Sequence, residues 1–123
     1  MTQGRIAFGK LGEDLACLEL ERLGYAIVAR RHRTRLGEVD IIARDGRTLV
    51  FVEVKAREGR AFGDGGEAVT ALKRRRLVSL ATEFVLRHGL QADPCRFDVV
   101  SVRLENERPI IEVFKNAFDA TGH

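Results

Sequence analysis

GEVDIIARDGRTLVFVEVKAR, residues Gly37–Arg57, decides the fold of this chain. Two apolar runs, Val39–Ala43 and Leu49–Val54, flank Asp45-Gly46, and Asp-Gly between β-formers signals a β-hairpin. A turn of two or four residues centred on Asp45-Gly46 pairs residue 44 with 47, 42 with 49 and 40 with 51. Side chains alternate along a strand, so Asp40, Phe51, Glu53 and Lys55 then share one face, and Val50, Val52 and Val54 the other. Asp40 and Glu53 become diagonal cross-strand neighbours about 7–8 Å apart, a spacing at which two carboxylates can converge on one cation. The placement depends on register, because a one-residue slip puts the two acids on opposite faces.

On the N-terminal side, Tyr25–Arg30 reads as a first strand that delivers the chain to a basic cluster, Arg30-Arg31-His32-Arg33 with Arg35. Before it, Ile6–Leu23 reads as a helix ended by Gly24, the residue that best accepts a left-handed cap. At 100° per residue, Leu11, Leu15 and Leu18 form one stripe, while Gly9, Ala16, Cys17, Leu20 and Leu23 form a second, so both sides are expected to be covered. Lys10, Asp14 and Glu21 lie between the stripes. Glu13 projects into the second stripe, where it either snorkels outward beside the helix start or serves a function.

On the C-terminal side, Glu58–Gly66 holds four glycines in nine residues and forms a loop that either carries function or merely connects. A second helix spans about Glu67 to Arg87 and is closed by His88-Gly89. Val69, Leu77, Leu80 and Phe84 share its apolar face. Lys73 falls inside that arc and either lies along core surface or reaches toward the acids; Arg74 and Arg75 point away. Cys95–Leu104 and Pro109–Phe114 make a second hairpin across Glu105–Arg108. The element order is therefore α-β-β-β-α-β-β, an α/β fold.

Hydrophobic residues make up 45% and charged residues 32% of the 123 positions, which places the chain among soluble globular proteins of one-domain size. The first residues have no apolar core followed by a cleavage site, and no run approaches a membrane span, so cytoplasmic residence without membrane contact is the expectation. Cys17 and Cys95 have no partners at zinc-ligand spacing and read as reduced core thiols. With Glu13, Asp40 and Glu53 set aside, 15 of the 18 acids face 21 bases, so the outer surface is more basic than the formal +3 suggests. The Arg30–Arg35 and Lys73–Arg76 clusters suit phosphate contacts, although a charge run also suits a plain solvated face.

Phosphodiester hydrolysis needs an activated water, relief of charge repulsion and stabilisation of the charge built in the transition state, and divalent cations assist all three. Mg²⁺ takes oxygen ligands and needs only one or two protein carboxylates. Asp40 and Glu53 would be those ligands, with the Val54 carbonyl as a third. Lys55 can orient or deprotonate the water and offset growing charge, and Glu13 would complete the site from the helix. On an open sheet face, Lys55 would instead simply pair with Glu53 or Asp40. Glu13 tips the balance toward a site, because three carboxylates among apolar neighbours are costly without a counterion.

The order of Glu13 on a first helix, GEVD ending in Asp40, and FVEVK with Glu53 and Lys55 resembles the PD-(D/E)XK nuclease superfamily. Over nearly its whole length the chain resembles the YraN-like family of uncharacterised bacterial proteins, through FGKLGEDLA, GEVDIIARDG, LVFVEVKAR, AVTALKRRRL, RFDVV and the late NAF at Asn116–Phe118. The resemblance implies a restriction-endonuclease-like core over residues 1–123, with a mixed central sheet flanked by helices. It also implies a Mg²⁺- or Mn²⁺-dependent DNA endonuclease site at Asp40, Glu53 and Lys55, with Glu13 as the helix acid and Lys73 a phosphate contact. Val39 stands where the superfamily's name has proline. The domain size and motif order are similar to those of archaeal-type Holliday junction resolvases, so branched or damaged DNA is the expected substrate. No element for sequence-specific readout is visible; Arg30, Arg31, Arg33, Lys73 and Arg76 are expected to hold backbone phosphates, and a two-fold homodimer would suit paired cuts in a symmetric junction. The rival readings are a nucleic-acid-binding module without catalysis and a DNA-processing accessory protein active only with a partner.

Overall fold

The computed structural model describes residues 2–58, 70–121 and 123. Its elements are α1 (Thr2–Arg22), β1 (Ala26–Thr34), β2 (Gly37–Asp45), β3 (Thr48–Glu58), α2 (Ala71–His88), β4 (Cys95–Glu105) and β5 (Arg108–Phe118), in the expected order. The strands form one mixed sheet, β1-β2-β3-β4-β5. Among the described residues only β3 and β4 run parallel, and a parallel pair needs a crossover, here the segment that contains α2. The helices cover opposite faces: Ala16, Cys17 and Leu20 of α1 pack with Ile41, Val50 and Val52, whereas Leu77, Leu80 and Phe84 of α2 pack with Ile42, Phe51 and Phe97. Phe51 meets Phe84 edge-on, with ring centroids 5.9 Å apart. On β3 the alternation is therefore as expected, with Val50, Val52 and Val54 toward α1 and Phe51 toward α2.

The first hairpin differs from expectation in register. Arg44 pairs with Leu49 and Asp45 with Thr48, so the turn is Gly46-Arg47 and not Asp45-Gly46. Gly46 has φ 61 while Arg47 stays out of the positive region, the pattern of a turn with glycine at its first central position. The register consequently moves by two residues. An even shift leaves the faces intact, so only the diagonal relation of Asp40 and Glu53 is lost: extended by one step, the observed register sets them opposite each other. The second hairpin turns at Asn106-Glu107, with φ 52 and 63, inside the expected Glu105–Arg108; its outer strand runs on to Phe118.

α1 begins earlier than expected and ends as expected. Gly24 has φ 97, and the Tyr25 N–H returns to the Leu20 carbonyl at 2.9 Å, a left-handed cap that satisfies a carbonyl the helix leaves open. Coverage of both sides does not hold: Leu11 and Leu18 are 44% and 63% exposed, because the sheet offers one face to one side of the helix. α2 starts at Ala71 instead of Glu67, with the Thr70 side chain accepting from the Lys73 N–H; such caps are worth about 1 kcal/mol. Glu67, Val69 and the glycine-rich loop beyond Glu58 lie outside the described residues. At the other end Gly89 supplies a left-handed cap with φ 66.

One glycine sets how closely α1 approaches the sheet. A Cβ on Gly12 would stand 2.7 Å from the Cβ of Ala56 on β3, closer than two carbons can pack. Gly12→Ala is expected to destabilise the fold by about 1–3 kcal/mol, the usual cost of overpacking, despite alanine's better helix propensity. Urea denaturation should show the loss and its partial recovery in the Gly12→Ala/Ala56→Gly double variant.

Candidate functional site

The β2–β3 ladder ends at Ile41–Val52. Beyond it, β2 continues with β1 as far as Gly37–Thr34, and β3 continues with β4 as far as Glu58–Leu104. Each central strand thus keeps only its outer partner, and the sheet forks. Asp40 and Glu53 are the first residues inside the fork. Asp40 spans it, its Oδ2 accepting from the Val54 N–H at 2.8 Å, which satisfies a donor the ladder leaves open. Val54 therefore meets Asp40 through its N–H, in addition to whatever its carbonyl can offer a cation. Alternation also breaks here: Val39 packs on the α2 side, although Ile41, two residues on, packs on the α1 side.

Burial above all, then the charge and hydrogen bond of Glu53, push the Asp40 carboxyl up to about 8, against the opposing pull of the Val54 N–H. A like charge beside a partly buried carboxyl disfavours its ionised form, so the proton is kept to higher pH. Lys55 lies beyond Glu53 on β3. Its ammonium is held below the usual lysine range by burial, then by the nearby Lys73 and Arg57, with Glu53 pulling the other way.

Between the sheet and α2 lies a cavity of about 130 Å³ lined by Gly37, Glu38, Glu53, Lys73 and Arg76, with Leu77 and Leu80 behind. Lys73 is exposed and faces this cavity, so of its two expected placements it takes the one beside the acids. Gly37, at φ 137, makes room for the Arg76 stem, whose Cδ would lie 3.3 Å from an added Cβ.

Glu13 is only 7% exposed, so it does not snorkel outward. Arg30 reaches its Oε1 through Nη2 at 2.9 Å and Nε at 3.1 Å, and Arg31 Nε donates to both carboxylate oxygens at 3.1 and 3.2 Å. Arg30 also bonds Asp14. The strand expected to stop at Arg30 runs on to Thr34, which puts the basic cluster within it. Consecutive strand residues normally point to opposite faces; Arg31 has φ 51, and that break in alternation brings both guanidiniums to one acid. Arg33 bonds Glu38, its cross-strand partner, at 3.0 Å. Three of the expected phosphate ligands are thus ion-paired within the chain, while Lys73 and Arg76 line the cavity.

A second charged cluster was not foreseen. Asp98 is 0% exposed and accepts from Tyr25 Oη at 2.8 Å, from the Asn116 N–H at 2.9 Å, and from Arg96 through Nε at 2.9 Å and Nη2 at 3.0 Å. Arg96 continues to Asp45 at 2.9 Å. This network ties the first hairpin turn to β4 and β5 and accounts for the acid in RFDVV and for the asparagine of NAF, which has φ 52. An aspartate between Phe97 and Val99 on an apolar strand is the signal the sequence carries for it. Of the two cysteines, Cys17 is buried as expected and Cys95 is exposed, lying at the very start of β4 where core packing has not begun.

The donor set suits a hard divalent cation. Asp40 and Glu53 would supply the one or two carboxylates that Mg²⁺ needs while keeping most of its water, and the raised Asp40 carboxyl marks a place where positive charge is favoured. Among the described residues no three His, Cys, Asp or Glu side chains converge at metal-binding spacing; Glu13 is engaged by arginines instead. No helix among the described residues is long and apolar enough to cross a membrane.

Residues 12–102, which include Glu13, Asp40, Glu53, Lys55, Lys73 and Asp98, match the family described as "Uncharacterised protein family UPF0102". The chain is 48% identical over 119 residues to a UPF0102 protein of Anaeromyxobacter dehalogenans, covering 97% of this chain and 89% of that protein. It is 50% identical to UPF0102 protein STH1475 of Symbiobacterium thermophilum, covering 91% and 96%. A UPF0102 protein of Pelotomaculum thermopropionicum is 41% identical, over 96% of this chain and all of its own length. The chain belongs to the UPF0102 family, to which its YraN-like segments correspond.

Proposed function

We propose that this protein is a PD-(D/E)XK-type, Mg²⁺- or Mn²⁺-dependent DNA endonuclease with a restriction-endonuclease-like core, acting on branched or damaged DNA. The observation that carries the reading is the Asp40–Glu53 carboxyl pair held in the fork of the sheet with Lys55 beside it. Asp40 and Glu53 would hold the cation, which when bound supplies a polarised water and neutralises phosphate charge. Lys55, its proton already loosened, is suited to take a proton from the attacking water or to offset the charge growing on the phosphate. Lys73 and Arg76 line the adjoining cavity as phosphate partners on α2. Cytoplasmic residence fits a DNA substrate.

Linear, flapped and four-way DNA, each with and without Mg²⁺ or Mn²⁺, test the reading. Cleavage is expected only with cation, with Glu53→Gln and Lys55→Ala each slower by about 10²-fold or more, the scale for removing one group that stabilises transition-state charge. Equal cleavage by wild type and both variants would remove the site. The engagement of Glu13 by Arg30 and Arg31 favours a second reading, in which the protein binds DNA without cutting it or cuts only with a partner. Salt-sensitive DNA binding without cation-dependent cleavage would support the binding module; cleavage appearing only in a complex would support the accessory role.

A further inference from the structure

Glu13 and the two arginines on it are each suited to something else. The β1–β2 register, Arg30 to Ile41 and His32 to Val39, sets Arg31 opposite Asp40, and the same Arg31 holds Glu13. The Glu13 side chain is 10% exposed, whereas those of Arg30 and Arg31 are 39% and 48% exposed. The acid is thus the sheltered partner of the cluster, while the guanidiniums remain open to a ligand from solvent. Guanidinium forks bind phosphate at least as well as carboxylate. Taking the arginines away would leave Glu13 buried and unpaired, which is strongly unfavourable unless another cation replaces them. The left-handed Arg31 backbone, uncommon for a non-glycine residue, is what lets one acid hold both arginines.

We propose that the Glu13–Arg30–Arg31 cluster is an ion-pair exchange device, in which backbone phosphates of DNA take the two arginines and release Glu13 to the cation held by Asp40 and Glu53. The inference rests on the nuclease reading above and adds its regulation. Cation and DNA then bind with positive coupling, each strengthening the other by the same factor. Without DNA, Glu13 is neutralised within the chain and the cation site has two carboxylates. With DNA it gains a third, so the complete site forms only where a phosphate backbone is present.

The test measures binding and needs no turnover. A fluorescent four-way DNA, titrated with the full chain in Ca²⁺ or in chelator and followed by anisotropy, is expected to bind about 5–150-fold more tightly with Ca²⁺, the usual range of such coupling. Glu13→Gln is expected to bind DNA tightly in chelator and to lose most of the cation effect, since its arginines are already free. Arg31→Gln, a change at a half-exposed side chain, is expected to bind Mn²⁺ more tightly than wild type in the absence of DNA, read by electron paramagnetic resonance of free Mn²⁺. Thermal melting confirms that both variants are folded, and Arg31→Gln stands as the deciding variant if Glu13→Gln is not. Wild-type DNA affinity that ignores the cation, or Mn²⁺ affinity unchanged in Arg31→Gln, overturns the exchange and leaves the cluster as a structural latch. If no DNA binds under any condition, the nuclease reading itself fails; if DNA and cation bind independently, only the exchange does.

Discussion

Replacing Asp40 by asparagine is expected to slow cation-dependent DNA cleavage by about 10²–10³-fold, the scale for loss of one electrostatic stabiliser, while making the cation-free protein more stable at alkaline pH. The two effects share a cause. In the folded protein the Asp40 carboxyl is raised from 3.8 to about 8, by burial first and by Glu53 second. Between those two values the folded state binds more protons than the unfolded chain, so stability falls as pH rises through the window. The contribution is fully present below the unfolded value and is lost above about 8. Asparagine cannot ionise, still offers an oxygen to the Val54 N–H, and removes that loss. Denaturation of wild type and Asp40→Asn at a series of pH values should therefore give curves that diverge toward alkaline pH, with the variant higher. Added Mg²⁺ should raise the wild-type curve and leave the variant's nearly unmoved, because binding to the folded state alone stabilises it. Parallel curves would mean that the Asp40 carboxyl is not raised in the folded protein, and the candidate site would lose its physical basis.

Asp98→Ala is expected to cost about 3–5 kcal/mol, the usual penalty for removing one partner of a buried charge pair. That is a large part of the roughly 5–15 kcal/mol available to a domain. The substitution takes the acceptor away from the Tyr25 hydroxyl and the Asn116 N–H and leaves Arg96 with Asp45 and the Tyr25 oxygen. Burial above all, then its bond to Asp98, shift the Tyr25 hydroxyl up, so in the wild-type network it acts as a neutral donor. Asp98→Asn retains an acceptor and should lose less, and Tyr25→Phe, which removes one bond donated to Asp98 and one accepted from Arg96, should lose about 1–3 kcal/mol. Urea midpoints read the series directly; a loss below about 1 kcal/mol for Asp98→Ala would show that the network contributes no more than an ordinary hydrogen bond. Cleavage by whatever Asp98→Asn remains folded should stay close to wild type, which separates this structural acid from Asp40 and Glu53.

Much of this architecture is legible in local pattern. The period-two runs around Asp45-Gly46, the glycine caps at Gly24 and Gly89, and the apolar face of Leu77, Leu80 and Phe84 each report a short-range constraint, and each recurs in the structure. The hairpin register lies two residues from the one the pattern suggests, because Asp-Gly does not say whether glycine takes the first or the second central position. The faces are the same in both registers because side-chain period is two. The outer stripe of α1 differs for another reason: periodicity shows which residues share a side, and only the sheet decides which side is covered.

Sequence by itself determined the succession of elements, the two hairpins, and the presence of Phe51, Glu53 and Lys55 on one side of a strand, because these follow from backbone geometry over a few residues. Tertiary structure decided what the charges do. It opened the fork that brings Asp40 to Val54, turned Arg31 so that two guanidiniums meet Glu13, placed Lys73 and Arg76 beside Glu53, and buried Asp98 among Tyr25, Arg96 and Asn116. Charges act through space and through burial, and neither the distance between residues 13 and 31 nor the solvent left around residue 98 is written in their spacing along the chain.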